Sequence, residues 1–183
     1  MNNIYDFNST NLLNWITAFA IFEIPLAKFY LTISNKNDTV YNWYSGKDIN
    51  IFHVLIQDLL YALCGIIIAL RIFNYLVFNN IIAAYFIFFI LCLIFVQLIG
   101  DSIFALIIVN ISYKYSNYWV NYFKNYIAKS GLNALIGDSI YVIVWATTYY
   151  FVVNYIKSFD VKIFINSLFI FLASAYSIKK SSK

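Results

Sequence analysis

The sequence is poor in charged residues. Of 183 residues, 11% are Asp, Glu, Lys or Arg, whereas 63% are hydrophobic and 21% are aromatic. A soluble domain usually carries about 25% charged residues, so this chain has too little polar surface to cover a core in water. The composition excludes an ordinary soluble protein and predicts one domain, residues 1–183, that uses lipid as its solvent.

Histidine and cysteine are also scarce. His53 is the only His, which excludes a HExxH zinc site and leaves a Ser-His or Cys-His mechanism without a second His. Cys64 and Cys92 lie inside apolar runs without metal-ligand spacing, so we expect two free, buried thiols and no bound metal. The chain lacks a Walker A loop, a GxSxG elbow and a dinucleotide fingerprint. These absences predict a protein that is not an enzyme and has no cofactor.

Long apolar runs are what the sequence has in abundance. An α-helix needs about 20 mostly apolar residues to cross the hydrocarbon core of a bilayer. Five windows approach or exceed this length, at residues 11–34, 51–73, 80–111, 132–156 and 163–178. The pattern predicts an all-α fold, a multi-pass transmembrane bundle of about five membrane-spanning helices.

Two of these windows are irregular. The window 80–111 is too long for one perpendicular helix, so we expect it to tilt, protrude or bend near Gly100. Glu23, Pro25 and Lys28 interrupt the first window. That segment either spans the membrane with a kink at Pro25 or lies partly in the interface.

The basic residues indicate an orientation in the membrane. With five spans, one side receives Lys36, Lys47, Lys114, Lys124, Lys129, Lys179, Lys180 and Lys183. The other side receives Arg71, Lys157 and Lys162. The more basic side is usually cytoplasmic, so the C-terminus is predicted to be cytoplasmic. The net charge of +4 is modest and the Lys residues lie between apolar runs, so we expect the lipid bilayer, and not nucleic acid, as partner.

Aromatic residues flank the spans on the side predicted to be cytoplasmic. They include Trp43, Tyr44, Tyr118, Trp119 and Tyr122, and such residues are typical of an aromatic belt at the membrane interface. The segment 113–129 is rich in Tyr, Asn and Lys. It either lies on an anionic leaflet as an amphipathic helix or forms a solvated turn between spans.

A short sequence recurs inside three of the windows. Residues 55–61, 98–104 and 135–141 read LIQDLLY, LIGDSIF and LIGDSIY. Each has an apolar pair, then Gly or Gln, then Asp, and an aromatic residue three positions later. The second and third copies are nearly identical, which indicates a repeated unit, whereas the first is a weaker match.

The repeat places Asp58, Asp101 and Asp138 in the same predicted half of the membrane, with Glu23 near that level. A carboxylate that faces lipid costs about 2.5–3.5 kcal/mol at the centre of a span, so we expect these groups to face inward and share protons. The candidate polar or ion site comprises Asp58, Asp101, Asp138, Glu23, Gln97, Ser102 and Ser139. Further donors nearby are Gln57, Tyr61, Tyr141 and Lys28.

Two interpretations of this site remain open. Ionisable groups within a membrane typically bind or relay a proton or another cation, which favours a small transporter or channel-like protein. The same side chains could instead be interhelical hydrogen bonds, which favours a structural membrane component. We also expect a homo-oligomer, because five short helices enclose little space.

The second and third copies of the repeat carry a resemblance to a known family. From Gln97 to Asp101, through FK-x-Y at 123–126 and Gly131, to Asp138 and Ser139, the chain resembles an uncharacterised family of small multi-pass membrane proteins of giant nucleocytoplasmic DNA viruses. The resemblance covers about residues 97–143. Gly100 stands where the family pattern has His. The resemblance implies a virion membrane or a host-derived membrane and implies no activity.

Overall fold

The computed structural model describes residues 4–33, 39–45 and 50–181, with side chains described in 4–33, 41–45 and 50–175. Within these residues the chain is helical and contains no β-strand. The helices are α1 Ser9–Ile33, α2 Thr39–Ser45, α3 Ile51–Phe78, α4 Phe86–Asn110, α5 Tyr118–Ser130, α6 Leu132–Tyr155 and α7 Phe159–Ser181, with a 3₁₀ turn at Tyr113–Tyr115. The predicted all-α fold is confirmed.

Four of the helices are long enough and apolar enough to cross a membrane. They are α1, α3, α4 and α6, and they contain most of the first four apolar windows. The fifth window, 163–178, lies within α7, which is not among the candidate spans found in the described residues. A fifth span therefore stays a prediction.

Helix α4 is shorter than the apolar window 80–111 that predicted it. Helix α3 continues to Phe78 and is followed by a turn in which Asn80 has a φ of 54°, a left-handed conformation that Asn tolerates better than most residues. Helix α4 then begins at Phe86 and spans 25 residues, or about 37 Å. Part of the length that suggested a tilt or a bend near Gly100 thus belongs to the turn.

Helix α1 is the most enclosed of the four candidate spans. It packs against α6, α7, α3 and α2, while α4 packs between α3 and α6. Pro25 lies on its exposed side, and the helix continues through this residue to Ile33. The first window is therefore one helix, and its interruption by polar residues does not end it.

The outer surface of the bundle is apolar. On α4, for example, Ile103, Leu106 and Ile107 are each more than half exposed. Large apolar side chains of this kind are typical of a surface that faces lipid. The expectation of two buried thiols is wrong for Cys64, which lies on this outer surface, whereas Cys92 is buried.

The helices run alternately, so that the bundle has two distinct ends. At one end α1 and α4 finish, α3 and α6 begin, and the short helices α2 and α5 lie; we call this the α2/α5 end. At the opposite, N-terminal end, the Tyr149 hydroxyl donates to the Ile4 carbonyl over 2.6 Å. The Tyr5 hydroxyl donates there to the Ala84 carbonyl over 3.4 Å.

Candidate functional site

Glu23 is fully buried in the middle of the bundle. Although it belongs to a long apolar helix, its side chain has no exposed surface. The Tyr44 hydroxyl donates to one carboxylate oxygen over 3.1 Å, and the Tyr141 hydroxyl donates to the other over 2.7 Å. Two neutral donors from α2 and α6 therefore hold the Glu23 carboxyl group.

Asp58 lies beside Glu23, in the second turn of α3. The Trp43 indole N–H donates to its Oδ2 over 3.2 Å, and the charges of Asp58 and Glu23 interact. Trp43 and Tyr44 are neighbours on α2, a helix of seven residues. This short helix thus supplies one donor to each carboxyl group and holds the first pair together.

Asp101 and Asp138 form a second pair. Their carboxyl groups, on α4 and α6, lie within hydrogen-bonding range of each other. The Tyr61 hydroxyl donates to Asp101 Oδ1 over 2.7 Å, and the Gln97 amide donates to Oδ2. A hydrogen bond between two carboxyl groups needs one proton that both share, because two ionised carboxylates have only acceptors.

Gln97 connects this pair to the neighbouring helix. It lies one turn before Asp101 on the same face of α4. The single hydrogen of the Ser139 hydroxyl is shared between Gln97 Oε1 at 2.9 Å and the Leu135 carbonyl at 2.7 Å. Gln97 therefore accepts from α6 while it donates within α4, and the hydrogen bonds run across the α4–α6 contact.

The two pairs belong to one cluster. Asp138 interacts with the charge of Asp58 as well as that of Asp101, so the groups follow one another in the order Glu23, Asp58, Asp138, Asp101. Four different long helices each contribute one of them. We call these four residues the carboxyl cluster.

Tyrosines from the short helices face the carboxyl cluster. Burial raises the pKa of the Tyr126 hydroxyl on α5, and the charges of Asp138 and Asp101 raise that pKa further. Burial likewise raises the pKa of Tyr44 on α2 well above its ordinary value, with additional contributions from Glu23. Both hydroxyls therefore keep their proton at physiological pH and can act only as neutral hydrogen-bonding groups.

An aromatic layer covers the cluster at the α2/α5 end. Trp43 stacks on Tyr122 with ring centroids 5.3 Å apart, and its edge contacts Phe123 at 5.3 Å. Phe123 in turn contacts Phe104 of α4 at 5.0 Å. Helix α2 therefore packs on α5, and α5 packs on α4, above the carboxyl groups.

A second set of aromatic rings lies on the opposite side of the cluster. Phe19 contacts Trp145 at 5.3 Å, and Trp15 stacks on Tyr149 at 3.8 Å. All four side chains are at most 1% exposed. We call these residues the aromatic barrier, because they separate Glu23 from the N-terminal end along α1 and α6.

The structure brings together most of the side chains that the sequence singled out. Ser102 is an exception, because its hydroxyl donates to the Leu98 carbonyl of its own helix over 2.7 Å and the residue is exposed. Successive helical residues point about 100° apart, so Ser102 turns away from the face that carries Asp101. Gln57 and Lys28 are also exposed, and Gln57 accepts from Trp119 over 3.3 Å.

Three tyrosines and a tryptophan at the cluster were not predicted as part of the site. The sequence suggested only an interfacial belt for Trp43 and Tyr44, and gave no role at the site to Tyr126 or to Tyr30, whose ring stacks on Tyr44. Their contacts join residues from different helices, so spacing along the chain does not reveal them. The one local signal was the occurrence of two adjacent aromatic residues with polar atoms just before the helix that carries Asp58.

The chemistry of the cluster is that of neutral donors and carboxyl groups. In the described ranges, the side chains that donate to Glu23, Asp58 and Asp101 are Tyr, Trp and Gln. Among these residues, no group of three or more His, Cys, Asp or Glu side chains is arranged to hold a metal ion. The arrangement can accept, share and release protons.

We compared the chain with protein families, curated proteins and solved structures. No family model, no curated protein and no solved structure matches this chain.

Proposed function

We propose that this chain is a membrane protein that binds protons at the carboxyl cluster and relays them, as a small transporter or channel-like protein. The observation that carries this proposal is the contact between the Asp101 and Asp138 carboxyl groups. Such a pair binds one proton between two acceptors and can pass it on without moving a helix. Asp58 and Glu23 extend the acceptors from this pair into the bundle.

Charge balance supports a proton over a larger cation. An ionised carboxylate in a low-dielectric interior needs a compensating charge or strong hydrogen bonds. The described side chains around Glu23, Asp58 and Asp101 supply neutral hydrogen bonds instead. Binding of protons removes the excess negative charge at the lowest steric cost, because no coordination shell of oxygen atoms has to be assembled.

We place the carboxyl cluster near the cytoplasmic side of a bilayer. In this arrangement α7 is the fifth span, and the basic residues at the α2/α5 end, such as Lys114, Lys124 and Lys129, face the cytoplasm together with the C-terminus. Helix α5 then lies on the membrane surface. The aromatic barrier closes the cluster on the far side, so that protons exchange with the cytoplasm in this conformation.

A structural role is the second candidate, and the hydrogen bonds between helices favour it. Tyr61 and Asp101 link α3 to α4, Ser139 and Gln97 link α6 to α4, and Tyr141 links α6 to Glu23 of α1. Bonds of this kind hold membrane helices together. The resemblance to proteins of giant viruses would place such a component, as a homo-oligomer, in a virion membrane or a host-derived membrane.

Proton flux into liposomes separates the two candidates. The purified protein is reconstituted with a pH-sensitive dye inside the vesicles, and a pH gradient is applied in the presence of valinomycin and K⁺. We expect flux from the wild type, and loss of at least 90% of it in a triple variant with Asp58, Asp101 and Asp138 changed to Asn.

The matched control is Asp160→Asn, which removes an exposed carboxyl group at the start of α7 and should leave the flux unchanged. A folded wild type without flux, or a triple variant that conducts as the wild type does, would overturn the transport proposal and leave the structural role. Repeating the assay with Na⁺ or K⁺ gradients at constant pH tests whether a larger cation moves instead.

A further inference from the structure

A second polar group lies in the bundle, between α1 and α7. Asn14 and Thr17 are one turn apart on the same face of α1, and they are 3% and 0% exposed. The Asn166 amide of α7 donates to the Thr17 hydroxyl oxygen over 3.0 Å. This group lies closer to the N-terminal end than the carboxyl cluster, on the far side of Phe19 of the aromatic barrier.

Two oxygen atoms in this group have no donor among the described residues. They are Asn14 Oδ1 and Asn166 Oδ1, and both are buried. The amide orientation of Asn14 is set by its neighbour, because its Nδ2 donates to Asn11 Oδ1 over 3.4 Å. Rotation of that amide would place two acceptors against each other.

Rotation of the Asn166 amide does not pair its outer atom either. The Thr17 hydroxyl already donates to the Leu13 carbonyl over 2.8 Å, so a rotated amide would place Oδ1 against the Thr17 oxygen, two acceptors without a hydrogen between them. Buried polar atoms are normally paired with protein or with ordered water. The observed orientation therefore requires a further small polar molecule beside Thr17.

We propose that one water molecule binds in the α1–α7 interface and donates its two hydrogens to Asn14 Oδ1 and Asn166 Oδ1. Water matches the two acceptors in number, and buried waters typically make about three hydrogen bonds to polar groups of this kind. The water is a second polar link beside the Asn166–Thr17 hydrogen bond and holds α7, the least apolar of the long helices, to α1.

A monovalent cation fits this site less well. Asn14, Thr17 and Asn166 offer three side-chain oxygens, and hard cations usually take six or more. Lys162, which is 7% exposed, lies one turn before Asn166 on the same face of α7. Its positive charge disfavours a second cation nearby.

Magnetisation transfer from water tests the site directly. The full chain, with ¹⁵N-labelled Asn, is placed in nanodiscs of deuterated lipid, and transfer from water to each side-chain amide is measured. We expect strong transfer to the Asn166 amide in the wild type and at least a fivefold loss in Asn14→Leu. The control Asn154→Leu changes an exposed Asn that bonds only within α6, and transfer to Asn166 should persist.

Absence of water transfer to Asn166 in the wild type would overturn the proposal, independently of any variant. A saturable shift of the Asn166 signal with Na⁺, and not with choline, would also overturn it, because the occupant would then be a cation. If Asn14→Leu does not fold, the variant Asn166→Leu replaces it. Transfer from water is then measured at the Asn14 side-chain amide, and we expect the same fivefold loss.

Discussion

The Tyr141 hydroxyl on α6 donates to Glu23 on α1 over 2.7 Å, where Glu23 is fully buried and Tyr141 is partly buried. This contact links residues 118 positions apart. A glutamate in the first apolar helix is thereby connected to the helix that carries Asp138. The same contact lies at the boundary between the carboxyl cluster and the aromatic barrier.

Removal of this donor should weaken the bundle. In Tyr141→Phe the Glu23 carboxyl keeps only the hydroxyl of Tyr44, and a buried polar group that loses a partner costs about 1–3 kcal/mol. Thermal or denaturant unfolding in detergent measures the loss. Tyr155→Phe, at a residue that is 72% exposed, should change stability by less than about 0.5 kcal/mol. Equal effects of the two variants would contradict the role of the Glu23 contact.

The two glycines of the repeat should respond differently to Ala. A Cβ at Gly100 would meet the Tyr61 hydroxyl oxygen at 3.1 Å, whereas a Cβ at Gly137 meets nothing within 4 Å. Gly137→Ala should therefore stabilise α6 by up to about 1 kcal/mol through helix propensity. Gly100→Ala should lose that gain, because Tyr61 must shift away from Asp101.

Unfolding of both variants in the same detergent, together with proton flux, measures this difference. We expect lower stability and lower flux for Gly100→Ala than for Gly137→Ala. A higher stability of the Gly100 variant would contradict the close contact between Gly100 and the Tyr61 hydroxyl.

Alkaline pH should destabilise the protein in part through Tyr126. Burial and the nearby Asp138 and Asp101 charges raise the pKa of this hydroxyl in the folded state. The resulting stabilisation is fully present below the ordinary Tyr value near pH 10 and is lost as the pH rises through the raised folded value. Tyr126→Phe has no phenolic proton to lose.

Melting temperatures between pH 9 and pH 12 therefore should fall less steeply for Tyr126→Phe than for the wild type. Tyr155→Phe serves again as the exposed control and should follow the wild type. Parallel curves for all three proteins would mean that the Tyr126 hydroxyl does not face the carboxyl cluster.

The aromatic barrier should limit passage of protons across the bundle. Phe19 has no exposed surface and lies 5.3 Å from Trp145. Phe19→Ala should cost about 3–5 kcal/mol of stability through the cavity it leaves. In the folded fraction, reconstituted in liposomes, we expect severalfold faster proton leak that still requires the carboxyl groups. Phe171→Ala, on the exposed face of α7, is the control, and equal leak from both variants would contradict the barrier.

Much of this architecture could be predicted because its signals are local. Hydropathy and length located four of the long helices, and the repeat identified Asp101 and Asp138 as related positions. The predictions about site residues that were wrong or incomplete depend on contacts between helices. Ser102 and Ser139 follow Asp in the same motif, yet only Ser139 reaches Gln97, because α4 and α6 meet along one face of each helix. The donors Trp43 and Tyr44 were missed for the same reason.

The pairing of the carboxyl groups was also beyond sequence reasoning. The repeat suggested one group of three equivalent Asp residues. In the structure the weaker copy, Asp58, lies with Glu23, whereas the two near-identical copies lie with each other. Which acid meets which is decided by the packing of α1 against α3 and of α4 against α6, and no spacing along the chain reports that packing.

Infrared spectroscopy tests the central claim, that Asp101 and Asp138 share a proton. A protonated carboxyl group absorbs above about 1,700 cm⁻¹, well separated from ionised carboxylates and from amides. Because one proton bonded between two acceptors keeps a carboxyl group protonated, wild-type protein in a detergent without ester groups at pH 7 should show this band, with a downshift in D₂O and a clear loss in Asp138→Asn. Asp160→Asn should keep it. A wild-type spectrum at pH 7 without any protonated carboxyl band would contradict the shared proton and the relay built on it.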